Sequence, residues 1–91
     1  MSAMIQKYPL QRAPVTVARV PAGSSIMSVQ AQYNEPVLYV LAPDGPVLET
    51  MQIELYVTGA IVHHPSKLEY IGTVMLDNDS FVLHAYHRIA I

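Results

Sequence analysis

Leu48 to Val57 carries the cleanest alternation of apolar and polar residues in the chain, with Met51, Ile53, Leu55 and Val57 on one face and Thr50, Gln52, Glu54 and Tyr56 on the other. A period of two marks a β-strand with one face in a core and the other in water. Most of the chain reads the same way. Met4 to Leu10 is a short strand placed at an edge, because Pro9 has no N–H to give to a ladder. Pro14 to Val20 is rich in β-branched residues and stops at Pro21-Ala22-Gly23, and these first two strands can pair with each other. Val20 to Leu41 reads as a hairpin turning at Tyr33-Asn34-Glu35-Pro36. In its first arm Met27, Val29, Ala31 and Tyr33 share one face, with Met27, Val29 and Ala31 assigned to the core; Ile26, Ser28, Gln30 and Gln32 share the other. The second arm, Val37 to Leu41, is apolar at every position, so it is expected at the centre of a sheet with both faces covered.

Ala42-Pro43-Asp44-Gly45-Pro46 is read as a loop. Ala60 to Lys67 is the longest irregular segment, with His63-His64-Pro65 at its tip. Leu68 to Leu76 resumes as a strand in which Gly72 predicts a bulge or the close approach of another backbone. Asp77-Asn78-Asp79-Ser80 is a tight turn into the last strand, Phe81 to Ile91. There Phe81, Leu83, Ala85, His87, Ile89 and Ile91 share one face, while Val82, His84, Tyr86, Arg88 and Ala90 share the other. No segment holds the i, i+3, i+4, i+7 spacing of a helix without prolines, and no internal repeat occurs. About seven short strands in 91 residues predict a single all-β domain over 1–91, an antiparallel β-sandwich or small barrel with little or no helix.

Composition adds a surplus of apolar surface. Hydrophobic residues make up 52% of the chain and charged ones 13%, about half the usual share of charge, and only Lys7 and Lys67 are lysines. One small core cannot hide that much, which favours a homo-oligomer or a partner-binding face. Net charge is −2, and the five cations are scattered, so duplex nucleic acid is not an expected partner. The absence of cysteine removes disulfides, thiolate metal sites and thiol nucleophiles. MSAMIQKYPLQR has no basic segment followed by an apolar run, and no stretch is long enough to span a membrane as a helix, so a soluble intracellular protein without membrane association is expected.

Candidate chemistry is thin. Imidazoles are good metal ligands, but His84 and His87 are three apart in a strand and face opposite ways, while adjacent His63 and His64 seldom converge on one ion. No metal site and no cofactor are expected. Five of the seven carboxylates lie in turns or at strand ends rather than paired across a cleft. Asp77-Asn78-Asp79 opens like a calcium loop but has Val82 and Arg88 where that loop needs Gly and Glu. Neither a G-x-S-x-G elbow nor a glycine-rich phosphate loop is present, and no enzyme activity is expected. What remains is a surface. Gln30, Gln32, Tyr39, Tyr56, His84, Tyr86 and Arg88 project from sheet faces in a mixture suited to binding, since Tyr and Arg join a large contact area to a polar handle.

At Gln30-Ala31-Gln32, Pro36-Val37-Leu38-Tyr39-Val40-Leu41, Thr58-Gly59, Tyr70-Ile71-Gly72-Thr73 and Phe81-Val82-Leu83-His84-Ala85-Tyr86 the chain resembles a family of small uncharacterised proteins carried by bacteriophages and prophages. The family pattern runs Gln-x-Gln, Pro-x-Leu-Trp-x-Leu, Gly-Thr-Gly-His, Tyr-Ile-Gly-Thr and Val-x-His-x-Phe, and the likeness extends from Lys7-Tyr8-Pro9 onward. Tyr39 stands where the pattern has Trp, and Ala60 where it has His, which weakens any role for a histidine in that loop. The resemblance implies phage origin and assigns no reaction. Anti-CRISPR proteins and other counter-defence inhibitors share this size and this lack of catalytic motifs. The expected function is therefore a non-enzymatic phage accessory protein, acting in the host cytoplasm as a small homo-oligomer that binds a host protein or complex. A charge of −2 is too small for a DNA mimic. Two alternatives stand beside it: a sponge that sequesters a small nucleotide-type immune signal between protomers, with Arg88, His84 and tyrosines holding it, and a minor virion component.

Overall fold

The computed structural model describes residues 2–90 and places them in seven antiparallel strands. These are β1 (Ala3–Pro9), β2 (Val15–Pro21), β3 (Ser25–Gln32), β4 (Glu35–Pro43), β5 (Leu48–Val57), β6 (Leu68–Leu76) and β7 (Phe81–Arg88). One three-residue 3₁₀ turn, Pro65–Lys67, is the only helical piece among the described residues. No helix there is long and apolar enough to cross a membrane. The strands form two sheets, one ordered β1-β4-β3 and the other β2-β5-β7-β6, so the fold is an open sandwich and not a closed barrel. It is a thin plate of 42 × 31 × 16 Å.

The core lies between the sheets. Val29, Leu38 and Val40 from one sheet meet Ala18, Val20, Met51, Ile53, Leu55, Val74, Leu76, Leu83 and Ala85 from the other, with Leu10 closing one end. β4 is the central strand of the three, as its apolar run predicts. Its inward Leu38 and Val40 are sealed and its outward Val37 is covered, yet outward Leu41 remains 40% exposed. The β3–β4 turn contracts to Tyr33-Asn34, both with positive φ, the two-residue geometry that follows the twist of a hairpin.

Several expectations are corrected. β1 and β2 do not pair: β1 adds to β4 and β2 to β5, because their core-facing residues sit on opposite sides of one core. Ala42 and Pro43 belong to β4, where Met4 and Ala3 give them partners. In β3 the register slips between Ile26 and Ser28, leaving Met27 as the extra residue of a bulge. The slip reverses the alternation, so Ile26 turns inward with Val29 and Met27 is exposed; Ala31, also assigned to the core, is exposed near the end of the strand. Val57 and Ile89 are also exposed, and β7 ends at Arg88; Ile91, assigned to its inward face, lies outside the described residues.

The predicted irregularity at Gly72 is present in both of its forms. β6 bulges between Tyr70 and Gly72, and Gly72 lies against Val29 of the opposite sheet. The tips of the two hairpins are tied together at one end of the sandwich. Arg12, in the β1–β2 connection, bonds both carboxylate oxygens of Asp77 at 2.9 and 3.0 Å and donates to the Asn34 carbonyl at 2.6 Å. Asn34 in turn donates to Asp77 Oδ1 and accepts from the Asp77 amide, each at 2.7 Å. Arg12 also lies over the Phe81 ring. The Arg12 guanidinium, followed by the Asn34 amide, holds the Asp77 carboxyl below its usual range. A carboxylate with a depressed folded-state pKa contributes stability above its unfolded value and loses it as pH falls through the folded one. Asp77→Asn keeps the left-handed turn that Asn readily adopts, so its lower melting temperature at pH 7 is expected to merge with that of the unsubstituted protein below the carboxylate range. Thermal melts across pH check this; a gap that persists in acid overturns the charge account.

Candidate functional site

The outward face of the four-stranded sheet gathers three of the chain's seven aromatic residues together with a connected set of polar side chains. In β5, Gln52, Glu54 and Tyr56 point outward; β7 contributes Val82, His84, Tyr86 and Arg88, and β6 contributes Tyr70 and Thr73, set opposite one another by register. Glu54 lies at the centre and is only 5% exposed, although it belongs to the face away from the core. Its Oε1 accepts from the Tyr56 hydroxyl at 2.6 Å, and its Oε2 accepts from Gln52 at 3.1 Å and from Arg88 Nε in a short ion pair. Arg88, above all, holds the Glu54 carboxyl below its ordinary value against the opposing effect of burial. The hydrogen bond that the Tyr56 hydroxyl donates to Glu54, followed by burial, raises the Tyr56 phenol.

Over this pair lies an aromatic cluster. Tyr86 makes edge-to-face contacts with Tyr56 (5.7 Å between centroids) and with Tyr70 (5.5 Å). Beside it a line of hydroxyls fixes His84: Tyr70 pairs with Thr73 at 2.6 Å, Thr73 with His84 Nδ1 at 3.0 Å, and His84 Nε2 with Thr58 at 2.7 Å. Every ring on the face is thus held by a neighbour. At its borders Val15 and Val17 of β2 and Met75 of β6 are about half exposed, as is Tyr70. The face thus has an aromatic centre and an apolar margin.

The predicted residues divide between two faces. Tyr56, His84, Tyr86 and Arg88 come together here. Gln30, Gln32 and Tyr39 lie on the outward face of the other sheet, where Gln32 accepts from Lys7 at 3.1 Å and from Tyr39 at 3.4 Å. His87 points the opposite way from His84, into a recess of about 400 Å³ between β3 and β6 that Ser24, Met27 and Glu69 also line. Among the described residues no three His, Asp or Glu side chains gather as metal ligands. Sequence reasoning missed Tyr70, Thr58 and Thr73, and it set Glu54 on this face without singling it out. The Tyr70-Ile71-Gly72-Thr73 motif is the β6 bulge itself: Gly72 meets the other sheet while Tyr70 and Thr73 join across the irregularity on the outward face.

No curated protein and no solved structure matches the chain. A family model described as "Domain of unknown function (DUF7352)" matches residues 1–90. The chain belongs to that family.

Proposed function

We propose that this protein is a non-enzymatic binding protein whose outward β2-β5-β7-β6 face engages another protein. The observation that carries the reading is the Tyr56–Tyr86–Tyr70 cluster, set beside buried Glu54 and its half-buried partner Arg88 and bordered by exposed Val15, Val17 and Met75. Interlocked tyrosines lose little side-chain freedom on binding, and an aromatic centre with polar handles is the usual make-up of a binding hot spot. The finer assignment, a phage accessory inhibitor acting stoichiometrically in the host cytoplasm on a host complex such as a CRISPR effector, is supported by the resemblance of the Gln30–Gln32, Tyr70–Thr73 and Val82–Tyr86 segments. A nucleotide sponge is less well supported, since neutralising phosphate with Arg88 means surrendering its bond to Glu54.

The test is capture of a specific partner from host lysate, followed by titration with variants. Tyr70→Ala and Tyr86→Ala are each expected to weaken binding by about 30-fold, the scale of a hot-spot residue. Tyr39→Ala, on the other sheet, is expected to leave it unchanged. Loss of binding in the Tyr39 variant alone would move the site to the opposite face. A rise in melting temperature with cyclic nucleotides, and no protein partner, would favour the sponge.

A further inference from the structure

β1 is joined to the rest of the molecule by one ladder, to β4. Met4 and Ile5 point to opposite sides of that strand and are each 60% exposed, and Leu41, the partner of Ile5, is 40% exposed. Both faces of its first half are therefore open, as is its outer hydrogen-bonding edge. Solvent-facing edges in stable monomers are guarded by bulges, interior prolines or several charges. β1 has an unbroken register, one lysine at Lys7, and a proline only at its last residue. The edges of the opposite flank differ: β3 and β6 each carry a bulge and meet through Val29 and Gly72. The chain exposes 5848 Å², against about 5,300 Å² for a compact monomer of 10.1 kDa. That leaves roughly 500 Å² per chain more than a compact monomer exposes, apolar surface at β1 among it.

We propose that two copies of this chain pair antiparallel through β1 about a two-fold axis at Gln6, merging their β1-β4-β3 sheets into one continuous sheet. Gln6 is the midpoint of Ala3–Pro9, so this register uses the whole strand. It sets Ile5 opposite Lys7 of the second copy, whose aliphatic stem covers it, and Met4 opposite the Tyr8 ring, a favourable sulfur–aromatic pairing. An axis at Lys7 would instead oppose two like charges. The pairing is independent of the proposed recognition face, which lies on the other sheet.

Sedimentation of the full chain over a range of concentrations is expected to show a species of twice 10.1 kDa, with a melting temperature that rises with concentration. Met4→Lys with Ile5→Lys, both at exposed positions, should give a monomer with an unchanged far-UV spectrum. Because the chain has no cysteine, Gln6→Cys supplies one thiol per protomer. Facing residues across an antiparallel pair have Cα atoms about 4.5–5.5 Å apart, within disulfide reach, so oxidation should link the Gln6→Cys dimer. Glu69→Cys, on the far flank, should stay unlinked. A wild-type chain that is monomeric at every concentration, a dimer that survives the double lysine substitution, or equal linking of the two cysteine variants overturns the proposal.

Discussion

Gly72→Ala is expected to lower stability by about 3 kcal/mol, a large part of the roughly 5–14 kcal/mol available to a domain of this size. Two separate terms add. Gly72 has a φ of +154°, which residues with a Cβ rarely adopt, and a Cβ built there would lie 2.7 Å from Val29 Cγ1. Val29 is buried and β-branched, which restricts the rotation by which it could retreat. A loss of this size corresponds to a drop in melting temperature on the order of 15 °C. Gly45 separates the two causes, because its φ is +153° but nothing lies within 4 Å of the position a Cβ would take. Gly45→Ala therefore reports the backbone term alone and is expected to cost far less. Adding Val29→Ala to Gly72→Ala should destabilise by less than the sum of the single changes, since the clash disappears with the methyl groups. Strict additivity in chemical denaturation would place the cost of Gly72→Ala in the backbone and not in sheet contact.

The second large effect is expected at Glu54. Glu54→Gln removes the charge that holds Arg88 and weakens the acceptor used by Tyr56 and Gln52. Leaving buried polar groups poorly partnered costs about 1–3 kcal/mol, or roughly 5–15 °C in melting temperature. The folded-state pKa of Glu54 is depressed, so the wild-type advantage is present above the unfolded value and is lost as pH falls through the folded one. The two proteins should therefore melt alike in acid. Glu54→Leu with Arg88→Leu is expected to recover part of the loss, because it removes the buried carboxylate and its half-buried partner together and leaves no uncompensated charge. Failure of that recovery would show that the tyrosines above depend on the carboxylate itself. Loss of partner binding in a well-folded double variant would tie the pair to recognition as well.

The strands are legible where alternation is clear, and β5 has the bounds, Leu48–Val57, that its pattern predicts. β3 defeated the same reasoning, because the bulge at Met27 inserts one residue and reverses the phase on one side of it, sending Met27 outward and Ile26 inward. Strand order was less accessible still. β1 joins β4 and β2 joins β5 through partners 27 to 40 residues away, a choice made by the shared core and by no local signal. For the candidate site, alternation alone placed Tyr56, His84, Tyr86 and Arg88 outward, but it could not show that they share a sheet while Gln30, Gln32 and Tyr39 belong to the other. The burial of Glu54 was invisible for a related reason. It comes from Tyr56 two residues along and from Arg88 thirty-four residues away. Tyr70 was obscured by the bulge that turns it to the face.

The thinness of the plate has a consequence for how such a chain can vary. Only 16 Å separates the extremes of the backbone along the short axis, so each sheet contributes a single layer of side chains to the core and a single layer to the outside. The pleat then assigns neighbouring residues to different duties: Ile53 and Leu55 hold the sandwich closed while Gln52 and Tyr56, one position along, form the outward surface. Substitutions at outward positions can change the chemistry of the face without entering the core. Glu54 is the position where that freedom stops, since its carboxylate secures Tyr56 and Arg88 at once, and drift elsewhere on the face proceeds around it.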